Sequence, residues 1–170
     1  MSKNEGSVDK ELIIKGNYIY GYFKKDDTLY KIYQPKTLDK KFIKVTDYLQ
    51  GTEQLSKNPY LIITSSLKDV MSLKSLKLSV DCIAPHSENT IIQEDKMNDY
   101  FDMYKQIIVM FDYDEAGIKA MEKYKSLYPA ILTAVLPMSK DVSDSIKDFG
   151  PKEVRMRLVP ILDKKISAFV

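Results

Sequence analysis

A chain of 170 residues, 44% hydrophobic and 29% charged, has room for one compact domain with a small appendage and not for two full domains. Its formal net charge of +2 excludes a global basic field, so any nucleic-acid partner has to be met through local patches. The single cysteine, Cys82, excludes an intramolecular disulfide and, with the single histidine, His86, a Cys/His zinc site; no run approaches the roughly 18 apolar residues of a membrane span.

Residues 1–11 are polar, with no apolar leader stretch, and are expected to fray. From Leu12 to Val45 the texture is β. Aromatic and β-branched residues fill Tyr18–Phe23 and Thr28–Tyr33, and Lys24–Asp27 forms a charged break, which together predict a hairpin. Gln34-Pro35-Lys36 interrupts the pattern, and Lys41–Val45 alternates as a third, edge strand. Lysines are interleaved with tyrosines on both sides of this unit. Two readings are open: a solvated face of a β meander, or a basic, aromatic platform for single-stranded nucleic acid.

Past Lys57-Asn58-Pro59 the pattern changes. Tyr60–Thr64 is a continuous apolar run, as a strand buried on both faces is. A helix is predicted over about 67–76, a short strand over 80–84, a helix over 92–104 and a strand over 107–111. A helix over 114–128 and a fourth strand over 131–136 follow. Pro151 can open a last helix with Val154, Leu158, Ile161 and Leu162 as its apolar stripe. Strands alternating with helices imply an α/β fold with a parallel sheet covered on both faces. The expected segments are a β-rich lead-in over 1–57, a core over 58–150 and a C-terminal helix over 151–170.

Ligands of open parallel sheets bind beyond the carboxyl ends of the strands. The strand ending at Phe111 runs at once into Asp112-Tyr113-Asp114-Glu115-Ala116-Gly117. Like-charged pairs about 4 Å apart cost on the order of 1 kcal/mol in water, and more where the dielectric falls. Such clustering suits a solvated edge or a hard divalent cation held by oxygen ligands, with Mg²⁺ the natural occupant. Asp114 and Glu115 have a second explanation, since negative charge is favoured in the first turn of a helix; Asp112 stands before that helix and is not covered by it. Gly117 either permits close helix-to-strand approach or is a neutral helix position.

The segment Phe111–Gly117, a strand end followed by Asp-Tyr-Asp-Glu-Ala-Gly and a helix, resembles the Asp-x-Asp motif of toprim domains in bacterial and phage DNA primases. Upstream, Leu61–Leu73 is similar to the first toprim motif, a strand followed by Glu-Gly, two further residues and an Asp at the next helix. Downstream, Lys140-Asp141-Val142-Ser143-Asp144 resembles the Lys-Asp-Pro-x-Asp segment that follows the last toprim strand. The hairpin unit resembles the region leading into toprim in phage primase-helicases, so the likeness runs from about Tyr18 to Gly150. It implies a four-stranded parallel sheet flanked by helices and preceded by a small antiparallel β unit, with 58–150 as the toprim core.

What the resemblance implies for function is metal-dependent nucleotidyl transfer, the synthesis of RNA primers on single-stranded DNA from nucleoside triphosphates. Asp69, Asp112 and Asp114 match metal-site positions for Mg²⁺ or Mn²⁺. Lys68 and Lys140 are candidates for holding phosphate, and Asp144 either caps a helix at Ser145 or supports the metal ligands. The implied partners are a replicative helicase and a separate zinc-binding primase module, with no membrane. The implied location is the cytoplasm, the host's if the chain is phage-encoded. One departure stands out: Ser65 occupies the place of the family's glutamate, and Ser66 that of its glycine. A serine hydroxyl neither ionises near neutrality nor attracts a cation strongly. Glu88, in the loop after the second core strand, is the candidate to compensate as a catalytic group; a solvated loop acid or helix cap is the other reading of it. A toprim-derived binding module for nucleic acid or a replication partner, catalytically reduced, is the second function the sequence allows, and a nuclease or topoisomerase toprim the third.

Overall fold

Ile14 and residues 18–167 are described by the structure, a computed structural model. The expected fraying of residues 1–11 and the end of the 151–170 helix lie outside the described residues. Two compact units divide the chain, Met1–Thr46 and Asp47–Val170.

Among the described residues of the first unit, β1 (Tyr20–Phe23), β2 (Leu29–Tyr33) and β3 (Phe42–Lys44) form an antiparallel sheet in the order β1-β2-β3. The hairpin closes where Asp26 accepts from the Thr28 N–H at 3.0 Å and Asp27 turns the chain with φ 62. A short aspartate side chain tolerates that left-handed conformation, which β-branched neighbours would not. The third strand is an edge strand, as its alternation predicted.

The second unit alternates strand and helix. β4 (Tyr60–Thr64), α1 (Leu67–Ser75), β5 (Val80–Ile83), α2 (Glu94–Met103), β6 (Gln106–Met110), α3 (Glu115–Leu127), β7 (Leu132–Thr133) and α4 (Val142–Ser167) follow in chain order. The strands form one parallel sheet in the order β5-β4-β6-β7, with Tyr60 opposite Gln106 and Thr64 opposite Met110. Side chains along β4 alternate between two cores. Ile62 packs with Val70, Leu73, Ile108 and Leu158 on the face covered by α1 and α4. Leu61 and Ile63 pack with Met97, Tyr100, Val109 and Tyr124 on the face covered by α2 and α3. Full burial on both faces explains why the strand sequences read as continuous apolar runs.

One boundary differs from expectation by more than two residues. β7 pairs only through Leu132 and Thr133, against the predicted 131–136, because Val109 is the last residue of β6 with a partner there. Val142–Ser167 is two helices joined at Gly150, whose φ of 81 and ψ of 157 break the helix, so Pro151 opens the last helix as the sequence predicts. Glycine takes that conformation without strain, and Pro151 behind it restarts the helix.

A buried carboxylate anchors the segment that enters the sheet. Asp81 is fully buried and accepts from the Ser56 N–H and hydroxyl, the Asn58 amide and, at 2.9 Å, the Tyr104 hydroxyl. Burial alone would raise its pKa, but these donors outweigh it and the net shift is downward. No helix among the described residues is long and apolar enough to cross a membrane.

Candidate functional site

Because the four core strands are parallel, the loops that follow them leave one edge of the sheet together. Ser65 and Ser66 follow β4, Glu88 lies in the loop after β5, Asp112 follows β6, and Lys140 and Asp141 lie beyond β7. Residues distant in sequence are thereby gathered by topology alone.

Ser66 is the N-cap of α1. Its hydroxyl accepts from the Asp69 N–H at 3.3 Å and donates to the Asp69 carboxylate at 2.6 Å. This reciprocal pairing resembles a capping box and fixes Asp69 at the start of the helix. Asp69 is 1% exposed, and its second oxygen accepts from the Ser143 N–H at 3.2 Å. Burial pushes its pKa up to about 6; the Ser66 and Ser143 hydrogen bonds work against the shift, and the carboxylates of Asp141 and Asp112 add to it.

Asp112 is nearly buried, and its backbone N–H donates to the Ser65 hydroxyl at 3.1 Å. One oxygen from each of Asp69, Asp112 and Asp141 lies within 4.8 Å of the other two. The third carboxylate within that distance is Asp141, which was not among the expected ligands, while Asp114 stands beside the cluster, sharing Lys140 with Asp112. Asp114 also caps α3, accepting from the Gly117 N–H at 2.9 Å, and that bond, followed by Lys140, lowers its pKa. A signal for Asp141 was present in the sequence. An acid three residues before Asp144 suits the N-cap of the next helix, and Asp141 does accept from the Asp144 N–H, at 2.6 Å. Asp144 is thus not the cap.

The two candidate lysines are both engaged with carboxylates. Lys140 lies 3.2 Å from Asp112 and 3.2 Å from Asp114, and Asp114 above all raises its pKa. Lys68 lies 3.1 Å from Asp141 and 3.6 Å from Asp144. The acidic edge is thereby partly neutralised from within the chain, which lowers the cost of crowding carboxylates.

Glu88 faces the same edge. Its pKa is pushed up to about 7, by burial first and then by Asp112 and Asp114, with Lys140 and a hydrogen bond with the Ser65 hydroxyl opposing the rise. Gly117 sets how closely α3 approaches this edge. A Cβ there would fall 2.2 Å from the Asp112 carbonyl oxygen, so the close-approach reading of this glycine is the right one. An open hollow lined by Asn89, Asp114, Glu115, Ala116 and Lys119 lies at the start of α3.

The donor set suits a hard divalent cation. It is all oxygen and carboxylate-rich, and oxygens opposed across a Mg²⁺ lie about 4.2 Å apart, close to the spread of the cluster. The raised pKa of Asp69 is that of a buried acid crowded by the Asp141 and Asp112 carboxylates, a crowding that a cation would relieve.

Residues 62–146 match the family model described as Toprim-like. A stretch of 48 residues is 48% identical to a DNA helicase/primase of Enterobacteria phage T3, covering 27% of this chain and 8% of that protein. Among solved structures, the primase fragment of the bacteriophage T7 primase-helicase protein aligns over 82% of this chain and 62% of its own, with 23% identity and a TM-score of 0.62. The Aquifex aeolicus primase, solved as its zinc-binding and RNA polymerase domains, aligns over 84% of this chain and 39% of its own, with 18% identity and a TM-score of 0.60. These likenesses show a shared fold. The chain spans less than two thirds of each of these three relatives.

Proposed function

The chain belongs to the Toprim-like family, and on that premise we propose that it is the toprim part of a DNA primase, a metal-dependent nucleotidyltransferase that makes RNA primers on single-stranded DNA. The observation that carries this reading is the meeting of Asp69, Asp112 and Asp141 at the carboxyl edge of the parallel sheet. A Mg²⁺ or Mn²⁺ bound there supplies charge neutralisation for nucleotide phosphates. Asp69, Asp112 and Asp141 would hold it, with Asp114, half exposed beside them, available to a second ion or to its waters.

In this reading each remaining residue at the edge has a task of its own. The 3′-hydroxyl of the growing primer attacks the α-phosphorus of a nucleoside triphosphate; the new O–P bond forms as the bond to pyrophosphate breaks. Glu88 accepts the hydroxyl proton, in place of the glutamate that Ser65 replaces. Ser65 orients Glu88 from one side and the Asp112 backbone from the other. Lys140 and Lys68 exchange their carboxylate partners for phosphate oxygens when the nucleotide and its metal arrive. The relatives are described as primases joined to a helicase or to a zinc-binding domain, and such modules are the partners proposed for this chain.

One observation favours the other reading, a binding module without catalysis. Lys140, 3.2 Å from both Asp112 and Asp114, supplies the counter-charge that a non-catalytic acidic edge would use. An assay of ribonucleotide incorporation on single-stranded DNA decides between the two, run with Mg²⁺ or Mn²⁺ and with and without the helicase. Metal-dependent primers support the enzyme; retention of the DNA with no primers under any of these conditions supports the binding module.

A further inference from the structure

The loop that carries Glu88 is short, and buried side chains outside the acidic edge fasten both of its ends. At its start, where β5 ends, Gln50 exchanges backbone hydrogen bonds with Ala84 at 2.8 and 2.9 Å, and its side-chain amide donates to the Pro85 carbonyl at 2.8 Å. At its end, the Tyr124 hydroxyl donates to the Thr90 carbonyl at 2.9 Å and accepts from the Ile92 N–H at 3.1 Å. Between these anchors the Thr90 N–H donates to the Ser87 carbonyl at 2.9 Å, which closes a turn with Glu88 and Asn89 at its corners. The carboxylate of Glu88 is thus borne by a turn whose two ends are held.

Core packing requires neither of these polar groups. Tyr124 is fully buried with its ring edge-on to Phe111 at 5.5 Å, and a phenylalanine would fill the same space. Its hydroxyl uses both its donor and an acceptor site on the far end of the Glu88 loop. Gln50 is 1% exposed, and its Oε1 is buried with no partner among the described residues. An unpaired buried polar atom is a cost that an apolar side chain would avoid. What the glutamine side chain provides in return is its bond to Pro85. Tyr124 also belongs to α3, the helix that Asp114 caps, so one rigid element holds both Asp114 and the end of the Glu88 loop.

We infer that Gln50 and Tyr124 are positioning residues for Glu88, holding its carboxylate at the acidic edge where it takes the proton of the primer hydroxyl. The catalytic purpose rests on the role proposed above for Glu88; the fastening of the loop does not. Tyr124→Phe removes the hydroxyl and keeps the ring, and Gln50→Leu removes the amide. Hydrogen exchange on the full chain without substrate reads the fastening. In each variant the amides of residues 86–92 should exchange about fivefold faster or more, relative to those of β4 and β6, as loss of one ordinary hydrogen bond allows. Steady-state ribonucleotide incorporation reads the purpose. Each variant should lower kcat by about tenfold or more, the penalty of a misplaced catalytic group, and leave KM for the nucleotide near the wild-type value. In a Glu88→Gln background, with no carboxylate left to hold, Tyr124→Phe should lower the residual rate no further, whereas a general weakening of the fold would lower both backgrounds alike. Unchanged loop exchange in both variants overturns the inference. So does wild-type kcat in both variants when Glu88→Gln is impaired, or an equal loss from Tyr124→Phe in both backgrounds. Full activity of Glu88→Gln sinks the reading of Glu88 itself, and with it the catalytic purpose of the anchors, even where loop exchange responds.

Discussion

The Asp112 backbone N–H donates to the Ser65 hydroxyl at 3.1 Å, which ties the ends of two adjacent parallel strands together at the acidic edge. The serine that stands where the toprim motif it resembles has a glutamate therefore has a structural task here. Ser65→Ala should cost about 1 kcal/mol by leaving that N–H without its partner. Urea unfolding of the two chains in EDTA measures it, and equal midpoints would remove the bond from the account.

Glu88 and Ser65 are linked in the proposed mechanism, so their substitutions should interact. Glu88→Gln is expected to lose primer synthesis nearly as severely as Asp112→Asn, and adding Ser65→Glu should restore part of it. If the chain is only a binder, Glu88→Gln changes nothing and DNA binding persists in EDTA. The four-way comparison of rates is a double-mutant cycle, and strict additivity would contradict the substitution of one glutamate for the other.

Metal-free stability should depend on pH through Asp69. Its folded pKa of about 6 exceeds the ordinary 3.8, so the fold favours the protonated acid. Stability from this group is fully present below pH 3.8, declines as pH rises towards 6, and is absent above it. A shift of this size corresponds to about 3 kcal/mol. Glu88, raised to about 7, extends the decline in the same direction. Asp69→Asn should flatten the pH dependence of the urea midpoint across this window, and Mg²⁺ at about pH 7.5, above both raised values, should recover stability in the wild type but not in the variant. A pH profile unaltered by the substitution would be inconsistent with a strained buried acid.

Gly117→Ala places a methyl 2.2 Å from the Asp112 carbonyl oxygen, and a backbone atom cannot swing aside as a side chain does. The start of α3 has to move, taking the Asp114 cap with it. The expected cost is about 3 kcal/mol in unfolding, at the upper end for overpacking, together with weaker Mn²⁺ binding by calorimetry. A Gly117→Ala variant of wild-type stability and unaltered Mn²⁺ affinity would mean that helix and strand do not need this contact.

The sheet was legible because its strands are buried on both faces and read as unbroken apolar runs, Tyr60–Thr64 and Ile107–Phe111 above all. The acidic edge was legible in part, since Asp112 directly follows such a run and no helix effect accounts for it. Asp141 was harder to read. Its neighbours Lys140 and Asp144 drew attention as a phosphate ligand and a cap, and the fold gives the cap to Asp141 and the lysine to Asp112 and Asp114. The Asp81 network was not legible at all, because Ser56, Asn58 and Tyr104 reach it from more than twenty positions away and only the folded chain joins them. Pairing limits beyond the sequence pattern also decided β7, where the Ala134 N–H still donates to the Val109 carbonyl but the register with β6 goes no further.

The central claim is that the carboxylates at the sheet edge support divalent-metal-dependent nucleotidyl transfer. The most direct measurement is incorporation of labelled ribonucleotide into primers on single-stranded DNA, titrated with Mg²⁺ and compared between the wild type and Asp112→Asn. The account predicts metal-dependent incorporation by the wild type, none in EDTA, and at least a roughly hundredfold loss in a variant that still folds and still binds DNA, in line with removal of one strong electrostatic contact to the transition state. Equal incorporation by the two chains, or incorporation that survives EDTA, would contradict it.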